Sequence, residues 1–472
     1  MITRIARKEF TEMVRDGRFR VAAALVMALL VAALAAGWKH HVDSTAQRLT
    51  AERITRAQWL NQGARNPHSA AHYGVWAFRP QSPLASIDPG IEKYVGTAVW
   101  LEAHRQNEFR YKPASDATAA ARFGELTAAV VLQLLLPLVI VLLSFGAFAA
   151  ERDNGTLRQL LSLGVSRSDL ALGKALGVAS ALAVLLVPAT ALGIAALALS
   201  AGTSGWGDGP LRLWLMGLGY LLYFGAFVGL SIAVSARARS AQLALVVLVG
   251  FWIVNGLVAP RAVADLARGA FPGPSSFAFT QAVREDITRG ADGHNSSDKR
   301  LDDLKAAVLK KYGVKRVEDL PVNFDALSLQ AGEDYGNTVY DKHYTRLWDT
   351  YRNQNAVHQW GAAVAPLLAV RSLSMGLAGS DFEQHRHFAT AAENHRRLIN
   401  RIANEEMLKT EYNNWNDEVP AETWAKFPEF RYGPPGVDWV LGQYLPSIGL
   451  MLAWCVLATA AAYWATGRLR PS

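Results

Sequence analysis

Six stretches of this chain contain no Asp, Glu, Lys, Arg or His: residues 21–38, 127–149, 175–199, 213–234, 241–259 and 440–466. A helix of about 20 apolar residues crosses the roughly 30 Å hydrocarbon core of a bilayer. Each stretch is long enough, or nearly so, to do this. Charged residues make up 19% of the whole, against roughly 25% in ordinary soluble proteins, and they crowd into the segments between the stretches. This distribution excludes a wholly soluble enzyme, a disordered chain and a disulfide-stapled secreted domain. The single cysteine, Cys455, falls inside the last stretch and can form neither an intrachain disulfide nor a thiolate metal cluster.

The expected fold is a mainly α, polytopic membrane protein with six transmembrane helices and a large, mostly helical extracytoplasmic domain built from two loops. Arg4, Arg7, Lys8, Arg15, Arg18 and Arg20 precede the first stretch. A basic segment before an apolar run also suits a signal peptide, but the run is long for one and reads as a retained anchor. Basic residues in short loops mark the cytoplasmic side. They place residues 1–20, 150–174, 235–240 and 467–472 inside, so that both termini are cytoplasmic. The long loops 39–126 and 260–439 and the short loop 200–212 then lie outside. Arg212 is the one basic residue on the wrong side, and Arg468 and Arg470 close the chain on the expected one.

The 360–379 segment is apolar enough to compete as a seventh span. Arg371 near its centre and an interrupting Pro366 assign it to the outer domain instead. Trp38, Trp206, Trp439 and Trp464 fall near span ends, where interfacial aromatics belong. Gly225 and Gly229 form a GxxxG pair suited to close helix packing, within one chain or between two. Pro137 and Pro188 stand inside the second and third spans, where each can bend a helix.

The spans lack the ionisable groups on which ion-coupled carriers rely. The chain also lacks a GxxxxGK[ST] phosphate loop. If it moves a cargo, the energy must come from a separate chain. The formal charge of +8 is spread over span flanks with no basic, aromatic-interleaved patch, which argues against nucleic acid.

Two cytoplasmic segments carry the functional signal. Near the N-terminus, Ile2, Ile5 and Phe10 repeat with Arg7 and Lys8 between them, as expected of an amphipathic helix on the bilayer surface. In the loop after the second span, Glu151 precedes Gly155-Thr156-Leu157-Arg158, then Leu160-Leu161, Arg167 and Gly173-Lys174. Leu157, Leu160 and Leu161 form one apolar stripe, suited to a groove on another protein, with Arg158 and Arg167 at its rim.

This pattern resembles the cytoplasmic loop of ABC type-2 permeases, which reads E-x-x-x-GTL-x-x-LL, a small residue with Arg, then GK. The resemblance implies that Glu151, Gly155, Thr156, Leu157, Arg158, Leu160, Leu161, Arg167 and Lys174 belong to a coupling helix that docks on an ATP-hydrolysing subunit. It also implies a bacterial inner-membrane complex of two permeases, identical or related, with two cytoplasmic ABC ATPases. ATP and Mg would bind the ATPases and no cofactor this chain, which has no catalytic residue of its own. Export is the implied direction, with the coupling helix moving spans one, two and five.

The run from Ser374 through Asp381, His385, His387 and Phe388 to Glu393 and Arg396 is similar to a branch of these permeases with a large extracytoplasmic domain. That branch is related to permeases for multicopper-enzyme maturation. Ser380 and Glu383 are expected to form a capping box, with Asp381–His385 and Glu383–His387 paired one turn apart. All eleven histidines, His40-His41 and His385-x-His387 among them, lie in the outer loops; His385 and His387, two apart on a helix, point to different faces, and no Met cluster or cysteine favours copper, so no metal is expected. A periplasmic protein is a further candidate partner. The alternatives are a mechanical transmitter that works on such a partner without moving cargo, and a non-transporting scaffold or enzyme.

Overall fold

A computed structural model describes residues 1–116, 126–200, 207–290 and 295–469; Trp206 and Arg470 lie outside them. Among the described residues six helices are long and apolar enough to cross a membrane: Gly17–Leu60, Ala128–Asp153, Arg167–Ser200, Gly209–Arg237, Ala241–Ala270 and Leu445–Gly467. They are called spans one to six below. Spans two and four are 56% buried along their most apolar windows and the other four 17–28%, so two and four form the centre of the bundle. Leu25, Val187, Val246, Val456 and Leu457 stand exposed around the outside. An apolar belt of that size belongs against lipid rather than water.

Residues 1–16, the turn and helices after span two, and the start of span five gather at one end of the bundle, the terminal face. The other end, the domain face, carries the added domain. Span one continues for 44 residues, about 66 Å at the usual helical rise, and so outruns any bilayer. Its far end enters the domain, where Trp59 Nε1 donates to the Trp424 carbonyl at 3.1 Å. Trp59 packs there with Val99, Leu101, Phe388, Ile399, Trp424 and Phe427, which joins both long loops in one core. The described strands, Val75–Phe78 and Ala98–Leu101, form a single antiparallel pair within this domain.

Spans two and five each contain a π-helical turn, Val131–Leu135 and Val254–Val258. Each is followed two residues later by a proline, Pro137 or Pro260. Proline brings no N–H to the carbonyl four residues back. For Pro137 that carbonyl belongs to Gln133, and Tyr223 OH of span four donates to it instead, at 3.0 Å. Asn255, inside the second π turn, donates from Nδ2 to the same Tyr223 hydroxyl at 3.0 Å. The backbone disruption caused by proline is thus absorbed by side chains of neighbouring spans.

Three expectations need correction. The 360–379 segment contains a helix, Pro366–Ala378, of 13 residues, too short to cross a bilayer. Pro366 opens this helix rather than interrupting it, since the first turn needs no intrahelical N–H donor there. Although it comes from the second long loop, its Leu367, Leu368, Leu373 and Leu377 pack in the same core as Met216, Tyr220, Leu248 and Met451 of the spans. It therefore closes the domain-face end of the bundle. Leu367 N donates to Asn255 Oδ1 at 3.0 Å and Arg371 Nε to Gln133 Oε1 at 3.3 Å, which explains how a cation is tolerated at that depth.

The helix Phe382–Met407 is capped by Asp381, whose side chain accepts from Gln384 N at 3.0 Å. Ser380 is not the cap: it donates to the Asp88 carbonyl at 2.7 Å. The expected one-turn pairs are also replaced. Asp381 accepts from Tyr444 OH, Glu383 pairs with Arg386 at 2.9 Å, and His387 Nδ1 meets Tyr432 OH at 2.9 Å. Asp381 and His387 are drawn to partners remote in sequence, Tyr444 and Tyr432, while Glu383 pairs within its own helix. Finally, span six starts at Leu445, after a break at Tyr444, rather than running unbroken through 440–466.

Candidate coupling site

The terminal face is built around a buried cation. Lys174, on span three, is 2% exposed and lies 2.8 Å from both Glu9 and Glu151. Glu9 comes from the first helix, Ile2–Arg15. That helix runs along span three because span three offers glycines: a Cβ at Gly173 would lie 2.6 Å from Ile5, and one at Gly177 2.6 Å from Glu9. Small residues allow the close approach, and the ion pairs fix its register. Ile2, Ile5 and Phe10 are half-buried, while Arg7 and Lys8 are exposed. Lys8 adds a 2.9 Å pair to Glu12 and stands 3.9 Å from Glu151.

Span two turns at 145–148 before its last short helical stretch, Ala149–Asp153, and a second short helix, Thr156–Ser162, follows. Gly155 joins them at φ +74°, a left-handed conformation that glycine adopts without steric cost. Thr156 Oγ1 donates back to the Glu151 carbonyl at 3.2 Å. Arg152 donates to the carbonyls of Ala236, at 2.7 Å, and Ala238, covering the last, otherwise unpaired carbonyls of span four. Asp153 accepts from Ala241 N, in the first turn of span five, at 2.9 Å. Ser235 Oγ accepts from Phe148 N and Ala149 N at 3.0 and 3.1 Å. The loop is thereby tied to spans three, four and five, where the sequence pointed to one, two and five.

The apolar stripe is where sequence and structure part. Leu157 is 3% exposed and packs with Phe148, Leu170, Ile232 and Ala236, and Leu160 and Leu161 lie against the same cluster. Leu157 anchors the helix to its own chain, while Leu160 and Leu161 are only half-buried. The outward edge consists of Arg158, Gln159 and Ser162, ending in Leu163 at 79% exposed, with Arg167 exposed just beyond. Glu9, Arg152, Asp153 and Leu163 were missed as site residues. Of these, only Leu163 had a signal, as a leucine just past the helical stripe.

Gly225 and Gly229 face span six. A Cβ on Gly229 would lie 2.9–3.1 Å from Ala458, and one on Gly225 3.4 Å from Cys455 Sγ. Arg212, the misplaced basic residue, is fully buried, pairs with Asp208 at 2.9 Å and donates to the Pro435 carbonyl. Its charge is balanced where it stands.

Residues 107–255 match the family model described as ABC-2 family transporter protein, covering spans two to four and the first half of five. Residues 276–433 match a domain of unknown function (DUF3526), the bulk of the second long loop. No curated protein matches the chain. The matched stretch, residues 107–255, is similar to the ABC-2 transporter permeases, and together with the separate domain at 276–433 it fits such a permease with an added domain. The chain's six long apolar helices and this match make it a membrane protein; the matched family supplies the non-catalytic membrane subunit of ABC transporters and implies a cytoplasmic ATPase as partner.

Proposed function

We propose that this chain converts ATP-driven closure of two cytoplasmic ATPase subunits into movement of its own spans, as a dimer with itself or with a related permease, in the direction of export. The observation that carries this reading is the helix Thr156–Ser162. Its inner side is locked to three spans, and its outer edge of Arg158, Gln159, Ser162 and Leu163 is free to meet a partner. A push on that edge is delivered through Arg152, Asp153 and Glu151 to spans four, five and three. The terminal face is cytoplasmic on this reading, in keeping with its arginines and lysines, and the added domain extracytoplasmic. Arg212, paired with Asp208, stays the one basic residue of the short loops on the opposite side, outweighed by the many on the terminal face.

One feature favours a mechanical output at the domain. Asp88 of the first long loop accepts from Ser374 Oγ at 2.6 Å, Ser374 lies 3.0 Å from Tyr220 OH of span four, and Gln133 of span two donates to Tyr220 at 3.1 Å. Span movement therefore reaches the domain directly, whether or not a cargo passes.

The test is gentle purification from native membranes, with ATPase activity measured on the product. Leu157 is a poor target because it holds this chain together. Arg158→Glu with Leu163→Asp alters only the exposed edge. The reading expects an ATPase to accompany the wild type and to be lost from this double variant at unchanged expression and melting temperature. Equal ATPase activity in both preparations, or none in the wild type under several mild detergents, contradicts it.

A further inference from the structure

Three imidazoles far from the coupling site converge on the added domain. His68 and His72 lie one turn apart on the helix Pro67–Tyr73, whose start is fixed by Asn66 Oδ1 accepting from His68 N at 2.9 Å. That spacing puts both rings on one side of the helix, and their Nε2 atoms are 3.1 Å apart. His104 arrives from the loop after the second strand, with ring centroids 5.1 and 5.0 Å from His68 and His72. One nitrogen from each of the three lies within 4.8 Å of the others.

His104 is held in an unusual backbone conformation. Its φ is +67°, a region non-glycine residues rarely occupy. Glu333 holds it there, accepting from the His104 backbone N–H and, at 3.0 Å, from ring Nδ1. The Glu333 side chain is 4% exposed and its other oxygen takes Arg396 Nη1 at 3.1 Å. An ionised carboxylate only accepts, so the ring proton sits on Nδ1 and the lone pair is left on Nε2. A buried carboxylate that orients an imidazole in this way is the usual outer-shell partner of a metal-binding histidine. A plain hydrogen bond between His68 and His72 accounts for two of these rings, but not for the third or its carboxylate.

We infer that His68, His72 and His104 form a binding site for a divalent transition-metal ion, with Glu333 as the residue that positions His104. Three neutral nitrogen donors without thiolate suit Zn²⁺ or an ion of similar softness, and disfavour Mg²⁺ or Ca²⁺. Zn–N bonds of about 2.0–2.1 Å put tetrahedral ligands roughly 3.3–3.4 Å apart, close to the 3.1 Å between His68 and His72. His72 and His104 are exposed, so the fourth position faces solvent and can exchange. The ion would tie His68, His72 and His104 of the first long loop to Glu333 of the second. The site stands independently of the coupling reading.

The experiment uses the full-length protein in detergent, stripped with chelator and titrated with Zn²⁺ by calorimetry and with Co²⁺ by visible absorption. The expected result is one saturating Zn²⁺ and an intense tetrahedral Co²⁺ band. His68→Ala with His72→Ala abolishes both, and His104→Ala weakens binding by about 100-fold or more, while Glu333→Gln weakens it by about 10–100-fold and shifts the Co²⁺ band. His395→Ala leaves binding unchanged. Melting curves in chelator must match the wild type for each variant scored; His104→Asn, which keeps a residue tolerant of positive φ, replaces the alanine if it does not. Absence of saturable binding in the wild type, or its survival in the His68/His72 double variant, overturns the proposal.

Discussion

Lys174 and Glu9, from span three and the first helix, lie 2.8 Å apart, with the lysine 2% and the glutamate side chain 10% exposed. Glu151, at the root of the coupling loop, is equally close to the lysine on its other side. One ammonium thus holds three separate stretches of chain together at the terminal face.

Removing that ammonium leaves two carboxylates facing each other with little water. Loss of one partner of a buried ion pair costs about 3–5 kcal/mol, so Lys174→Met is expected to lower the melting temperature sharply and to loosen the first helix. Adding Glu9→Gln and Glu151→Gln to the same chain restores much of the stability. The check is thermal unfolding of the purified variants; a Lys174→Met protein as stable as wild type contradicts the account.

The two glycines of span four differ in how much room they have. Gly229 touches the Ala458 backbone, whereas Gly225 meets only Cys455 Sγ at an ordinary contact distance. Gly229→Val must push spans four and six apart, at a cost of about 1–3 kcal/mol for overpacking. Gly225→Ala is expected to be nearly neutral. Monodispersity and melting temperature in detergent distinguish the two, and equal sensitivity at both positions rules out the packing described.

His385 of the added domain is 6% exposed, against Phe109 and Trp348. Burial, then the charges of Arg79 and Lys112, push its pKa down to about 3. An unfolded histidine protonates near 6.5, so between these values the unfolded chain binds the extra proton. Stability from this group is therefore complete above about pH 6.5 and is lost as pH falls towards 3. His385→Phe is expected to flatten the pH dependence over that window relative to wild type. Parallel wild-type and variant curves of melting temperature against pH would remove His385 from the explanation.

Tyr223 satisfies the carbonyl that Pro137 leaves without its helical donor. Tyr223→Phe is expected to cost about 1–3 kcal/mol, the usual penalty of an unsatisfied buried acceptor. In a Pro137→Ala background, where the missing N–H is restored, the cost is smaller. A double-mutant cycle on thermal stability reads the difference, and strict additivity contradicts the link.

Much of the membrane architecture was legible in the sequence because charge-free stretches long enough to cross a bilayer have few alternative structures. Other features depended on partners that are remote in sequence. Nothing local shows that Leu157 turns towards Phe148 and Ile232, since an amphipathic stripe looks the same whether it packs on its own chain or on another. Glu9 was hidden because its partner Lys174 lies 165 positions away. Asp381 displaced Ser380 as cap because Ser380 is drawn to Asp88 in the other loop. The His68–His72 spacing was visible, but His104 joins it only through folding of the strand pair.

The central claim, that the edge of Thr156–Ser162 meets an ATPase, is tested most directly by crosslinking. With Cys455→Ala as background, Ser162→Cys carries a photoreactive maleimide in membranes that contain the whole complex, and Ser297→Cys in the added domain serves as control. The account predicts a crosslink from position 162 to an ATPase subunit, altered by ATP, and none from position 297. No ATPase adduct at 162 when the label is fully incorporated, or the same adduct from 297, contradicts it.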